Sequence, residues 1–237
     1  MASGCSYKDL HYAYRVGVST ISNIIKEVTN AIWNNLHGEF MTLPNTISDW
    51  EYIKNSCLCL LLGGSNSELF RNRKGYFSLN VQVVCDSNLV IRNIIARWPG
   101  SVHDSTIFND SPLCAQFERG DFGAMVLVGD SGYPCRPYLL TPLLNLRTHA
   151  EEAYNSSQIK TRNPIERLFG ILKRRFPCLQ VGMGLKLKNV PPVIVACAVL
   201  HNIALSQNDA VLEEDTDDIT EESAGQSLHA TAASRQR

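Results

Sequence analysis

None of the eight cysteines of this 237-residue chain forms a CxxC pair, no apolar run approaches the length of a membrane span, and neither sign of charge dominates. Each absence excludes a class. Cysteines scattered over positions 5, 57, 59, 85, 114, 135, 178 and 197 supply neither a zinc ribbon nor a disulfide framework, and read as reduced thiols of a nuclear or cytosolic protein. Cys57 and Cys59 would be half of a metal site only if a matching His/Cys pair followed; none does, so a buried apolar role is expected. The longest apolar runs, CLCLLL at 57–62 and VPPVIVACAVL at 190–200, fall short of the roughly 18 residues that cross a bilayer. The opening MASGCSYKDLHYAYR has no apolar core of roughly 7–15 residues, so no secretory signal and no membrane association are expected.

What is present suits one globular domain with appendages: 44% hydrophobic and 19% charged residues suffice for a sizeable core. The net charge of −1 hides an asymmetry. Residues 208–237 hold eight acids against Arg235 and Arg237, which leaves 20 basic and 15 acidic residues in the body. A mildly basic body with an acidic tail is compatible with nucleic-acid binding. The tail has no apolar periodicity and is expected to be disordered.

Residues 6–37 read as two helices broken at Gly17, with Leu10 and Tyr14, then Ile21, Ile24, Ile25, Val28 and Ile32, at three- and four-residue spacing. Ser19 is placed to cap the second helix. The segment is helix-turn-helix-like; an ordinary helical hairpin fits the same pattern. Beyond Pro44 the period becomes that of strands. Phe77, Leu79, Val81 and Val83 alternate with Ser78, Asn80 and Gln82, as in a half-buried strand, and Asp86-Ser87-Asn88 turns the chain into a return strand at 89–96. AMVLVG at 124–129 has the continuous apolar character of a strand covered on both faces. Helices are expected at 163–176 and 190–206. The domains predicted are therefore a partial helical segment at 1–43, an α/β domain at 44–207 and the acidic tail at 208–237.

Three acidic residues sit in distinctive contexts: Asp104 in WPGSVHDSTIF, Asp130 in VLVGDSGYP and Glu166 in NPIERLFGILKRRF. Carboxylates held at the edges of elements suit divalent metal ions working on a phosphate backbone, where two ions about 3.5–4 Å apart activate a water and stabilise a leaving oxygen. Asp130 should project at the C-terminal edge of the sheet, and Asp104 should lie near the start of a helix. Simpler roles compete. Asp104 could cap its helix, Glu166 could pair with Arg162 or Arg167, and His103 fits a supporting or surface position better than a ligand position.

Taken in order, NRKGYFSLNVQVVCD (72–86), WPGSVHDSTIF (98–108), LVGDSGYP (127–134), TPL (141–143), NPIERLFGILKRRFPCL (163–179) and VLHNI (199–203) resemble the Harbinger-type transposase-derived nucleases of the DDE superfamily. The resemblance implies an RNase H-like mixed sheet covered by helices, and a Mg²⁺ or Mn²⁺ site matched by Asp104, Asp130 and Glu166. It also implies DNA as substrate, assistance from a Myb-like partner protein, and a nuclear location with some cytoplasmic residence. The helical segment resembles the region ahead of the catalytic domain in that family, without its beginning.

The chain departs from the pattern at one place. Family members carry a further Asp on the first strand, shortly before the Asn-x-Lys-Gly segment. Here that stretch reads EYIKNSCLCLLLGGSNSELFR, with no Asp in such a strand. The first strand reads as missing, with CLCLLL as its stand-in. The expected function is metal-dependent hydrolysis of DNA phosphodiester bonds, with a catalytically impaired DNA-binding or interaction protein as the alternative.

Overall fold

The structure, a computed structural model, describes residues 4–43, 58–63, 79–99, 102–181, 183, 185 and 187–207. The acidic tail and the linker after Pro44 lie outside them. Two helices come first, α1 (Tyr7–Tyr14) and α2 (Val18–Phe40). Ser6 caps α1 through a reciprocal capping box with Asp9, satisfying two backbone N–H groups that a helix start leaves free. The expected cap on α2 is corrected: Gly17 is its N-cap and makes no side-chain bond, and Ser19 lies inside the first turn. Arg15, at φ 54°, takes the left-handed turn that ends α1, so the chain reverses early enough for Val18 to be helical.

A five-stranded mixed sheet follows, in the order β3-β2-β1-β4-β5. Its strands are β1 (Leu58–Gly63), β2 (Leu79–Cys85), β3 (Ile91–Pro99), β4 (Leu127–Val128) and β5 (Leu139–Leu140). β1 is central, antiparallel to β2 with Cys59 opposite Cys85 and Gly63 opposite Val81, and parallel to β4 with Leu58 opposite Leu127. β4 and β5 are also parallel. The stand-in expected of CLCLLL thus occupies the middle of the sheet, and it brings no acid there.

Between β3 and β4 come two short helices, α3 (Asp104–Asn109) and α4 (Pro112–Glu118). After β5 run α5 (His149–Arg175), α6 (Cys178–Val181), one 3₁₀ turn at Leu187–Asn189, and α7 (Val190–Ser206). α5 begins 14 residues before the expected 163. Its first half is polar and shows no apolar stripe, but Thr148 and Glu151 form a capping box at its start. That pair fixes the first turn where hydrophobic patterning does not.

The sheet is covered on both faces. Val83 and Cys85 of β2 join a core with α2, α5 and α7, whereas Val84 between them joins a second core with α3, α4, β4 and β5. The period-two geometry of a strand sends neighbours to opposite sides, so two cores need a strand buried throughout. This corrects the half-buried reading: Asn80 and Gln82 are 6% and 1% exposed, because the face expected to meet solvent lies beneath α3.

Two polar devices lock the outer hairpin. The buried Asp86 carboxylate accepts from the N–H groups of Asn88 and Val90 at 2.9 and 3.0 Å, and from Arg92 at 2.9 and 2.7 Å. From α7, Asn202 exchanges bonds with the Ile91 backbone at 2.9 and 2.8 Å and donates to the Phe40 carbonyl. His201, fully buried, meets the Leu89 carbonyl through Nε2 at 3.0 Å, and Arg175 approaches its Nδ1 at 3.3 Å. The VLHNI motif therefore staples helix to sheet. Among the described residues one helical stretch, Leu187–Ser206, is long and apolar enough to cross a membrane; in this fold it is a core helix, with Val193, Ala196, Ala198 and Val199 buried.

Candidate metal centre

α3 is only 6 residues long, too short to hold by itself. Ile107 and Phe108, both 0% exposed, fix it against the sheet, each contributing roughly 1.5–3 kcal/mol by burial. Asp104, one turn earlier, is thereby pinned. It is the first residue of the helix, His103 being the N-cap, and its Oδ1 accepts from Asn80 Nδ2 of β2 at 3.3 Å. The same amide donates to the Val102 carbonyl at 3.0 Å, so β2 grips both the carboxylate and the loop leading to it.

Asp130 lies two residues beyond β4, at the sheet edge where it was expected. Its Oδ1 accepts from the N–H of Gly132 at 2.8 Å, closing a tight Asx turn. A Cβ at Gly132 would stand 3.0 Å from Asp130 Oδ1 and 3.4 Å from Asp104 Oδ2. Both carboxylates reach one spot that only a glycine leaves open. Gly129 is constrained in a similar way: a Cβ there would lie 3.0 Å from the ring of Tyr133 and 3.2 Å from Leu139.

The electrostatics follow from this convergence. Burial raises Asp104 above the usual carboxylate range, and the negative charge of Asp130 adds to the rise, against the Asn80 hydrogen bond and the nearby His103. Tyr133, 4% exposed, has its hydroxyl pushed up by burial and by both carboxylates. The Gln82 amide stands near that hydroxyl and opposes the rise, yet neither group has a hydrogen-bond partner of standard geometry. Two unpartnered buried groups behind two like-charged carboxylates form a polar pocket wall. Patterning alone gave no sign of Asn80, Gln82 or Tyr133, since only the fold brings them to the acids.

Glu166 stands apart. It lies on α5, where its carboxylate pairs with Arg162 one turn earlier and keeps 53% of the side chain exposed. Among the described residues no group of three His, Cys, Asp or Glu side chains is placed to hold a metal ion. α5 is nevertheless tied to the site, because Gln158 Nε2 donates to the Gly129 carbonyl at 2.6 Å. Glu166 is two turns further on, roughly 12 Å along the helix axis. Extending the β1–β4 register by two residues sets Leu61 beside Asp130, so the first strand contributes no acid at that level. The donor set fits one hard divalent cation, since Mg²⁺ is commonly held by one or two carboxylates with water and phosphate oxygens filling the remaining positions.

Residues 63–202 match the family model of the DDE superfamily endonucleases. The chain belongs to the Harbinger-derived branch of that family. The matched span begins at the end of β1 and covers β2 through most of α7, including both aspartates and Glu166. "Putative nuclease HARBI1" of Homo sapiens is 38% identical over 155 residues, which are 63% of this chain and 44% of that protein. Its Mus musculus counterpart is 39% identical over the same extent. "Protein ALP1-like" of Arabidopsis thaliana is 27% identical over 157 residues, 58% of this chain and 38% of its own. The chain thus spans less than half the length of these DDE superfamily relatives. No solved structure matches it.

Proposed function

We propose that this chain is a nuclease module that cleaves DNA phosphodiester bonds with a divalent cation, Mg²⁺ or Mn²⁺, held by Asp104 and Asp130. The convergence of the two carboxylates on Gly132 carries the reading, together with family membership. A cation bound there would lower the pKa of a coordinated water and polarise a phosphoryl oxygen. The protein's own part is positional. Asn80 orients Asp104, the Gly132 N–H orients Asp130, and Gln158 keeps the Glu166 helix against the strand end. Glu166 joins the site by leaving Arg162, at the cost of one partly exposed ion pair worth about 1 kcal/mol or less. An RNase H-like arrangement of the sheet, DNA as the bound polymer, a Myb-like partner and a nuclear location belong to the same proposal.

The test is calorimetric titration of Mn²⁺ into the purified protein, followed by nicking of supercoiled plasmid. Saturable binding that disappears in Asp130→Ala, with nicking that disappears alongside it, is the expected result. Metal-independent nicking, or nicking that survives the substitution, would overturn the proposal. A second reading is favoured by the acid-free β1 and the Arg162–Glu166 pair: the fold binds DNA without cutting it. Salt-sensitive DNA binding with no nicking in Mn²⁺ would select that reading.

A further inference from the structure

On the far side of the sheet from the aspartates, α2, α6 and α7 enclose a cavity of about 250 Å³. Ile24, Val28 and Leu200, between 39% and 51% exposed, line it toward solvent, and Phe176 and Val193 line it from within. The hydroxyl of Thr29 also borders it, but donates to the Ile25 carbonyl of its own helix at 2.8 Å. The walls are therefore apolar except at one place. Cys178 at the start of α6 and Cys197 in α7 both border the cavity, 3% and 5% exposed, and the two side chains are hydrogen-bonded to each other.

We propose that this cavity is a covalent modification site, in which the Cys178 thiol captures an apolar α,β-unsaturated carbonyl compound of the kind formed by lipid oxidation. The three parts of such a site are a nucleophile, a group that keeps it nucleophilic, and a binding space for the rest of the reagent; all are present. Cys197 donates its S–H to Cys178, which pulls Cys178 below the ordinary thiol range and pushes Cys197 above it. A thiolate is the attacking species. Its sulfur lone pair forms the new bond to the β-carbon, the π pair of the C=C bond moves to the enolate, and the α-carbon takes a proton from solvent. Nothing leaves and no oxidant is consumed. The alkyl chain occupies the cavity between Ile24, Val28 and Leu200, space that a polar or charged reagent gains nothing by entering. The two other buried thiols in known surroundings lack one part or the other: Cys85 is 0% exposed within the sheet, and Cys114 is tied to Arg136 and Tyr138.

The test uses the full chain, freed of reductant, with nonenal and the shorter crotonaldehyde as probes and peptide mass mapping as readout. Nonenal should label Cys178 more than roughly tenfold faster than Cys114, and the preference for nonenal over crotonaldehyde at Cys178 should also exceed roughly tenfold, because five more methylenes are buried. Cys197→Ser keeps a donor and should preserve the rate at pH 7. Cys197→Val should slow it by roughly tenfold at pH 7 but not at pH 9, the signature of a lost thiolate-stabilising bond, with a thermal melt confirming that each variant is folded. Equal labelling of Cys178 and Cys114, equal rates for the two aldehydes, or recovery of the pair as a Cys178–Cys197 disulfide in place of the adduct would overturn the proposal.

Discussion

Stability below neutral pH should be governed in large part by one imidazole. His201 is 0% exposed, and burial lowers its pKa from 6.5 to about 4, with the Arg175 charge adding to the shift and the Leu89 carbonyl opposing it. The geometry explains the direction. Nε2 carries the proton that bonds the Leu89 carbonyl, and Nδ1 faces an N–H of Arg175, so a second proton would meet a cation. Above pH 6.5 neither folded nor unfolded chain is protonated at this residue, and the full stability is present. Between 6.5 and 4 the unfolded chain takes a proton that the folded one refuses, and stability falls by up to 1.36 kcal/mol per unit, about 3 kcal/mol in all. That is a large share of the roughly 5–15 kcal/mol a domain has. Urea unfolding at pH 7.0 and pH 5.0 should show about 2 kcal/mol lost to His201. His201→Gln, which can still donate to Leu89, should start lower at pH 7 and lose less on acidification. All other titrating groups are common to both chains, so the difference in slope isolates the imidazole. Equal slopes would refute the reasoning.

Two further outcomes follow from other contacts. Asn202→Ala strips partners from the Ile91 N–H, the Ile91 carbonyl and the Phe40 carbonyl; a loss of about 3 kcal/mol or more is expected from urea midpoints, and a loss below about 1 kcal/mol would show that the staple is incidental. Asp104→Asn removes a carboxylate whose folded-state pKa is raised, so its contribution is favourable at low pH and is lost as pH rises through the folded pKa. In EDTA at pH 7 the variant should melt above the parent, and Mn²⁺ should no longer raise its melting temperature; a variant that melts lower in EDTA counts against the repulsion argument.

The placement of Asp130 and Asp104 was legible because both positions are set locally. A buried apolar strand followed by Asp-Ser-Gly must turn, and a Pro-Gly turn followed by a short apolar helix presents its first residue. The environment of the two acids was not legible: Asn80 and Gln82 read as solvent-facing strand residues, and only α3 crossing the sheet makes them buried neighbours of Asp104. Glu166 shows the opposite lesson. Its pairing with Arg162 at i,i+4 was open to reading from spacing alone, whereas its separation from the aspartates depends on how far α5 runs past Gln158. β4 and β5, two residues each, are too short for any period to be expressed, and β5 was visible only through its partner.

The order of the elements along the chain has a consequence for synthesis. α7 supplies the partners of Phe40 and Ile91, yet it is made after every strand. While the ribosome works through the stretch from Phe40 to Asn202, α2 and the β2–β3 hairpin present an apolar face with nothing to cover it, and sequence-distant closure of this kind is slow. When α7 emerges, it is as greasy as a membrane span. The newborn chain thus depends on its chaperones twice, first for a sheet awaiting its helix and then for a helix that must find the sheet before it finds a lipid.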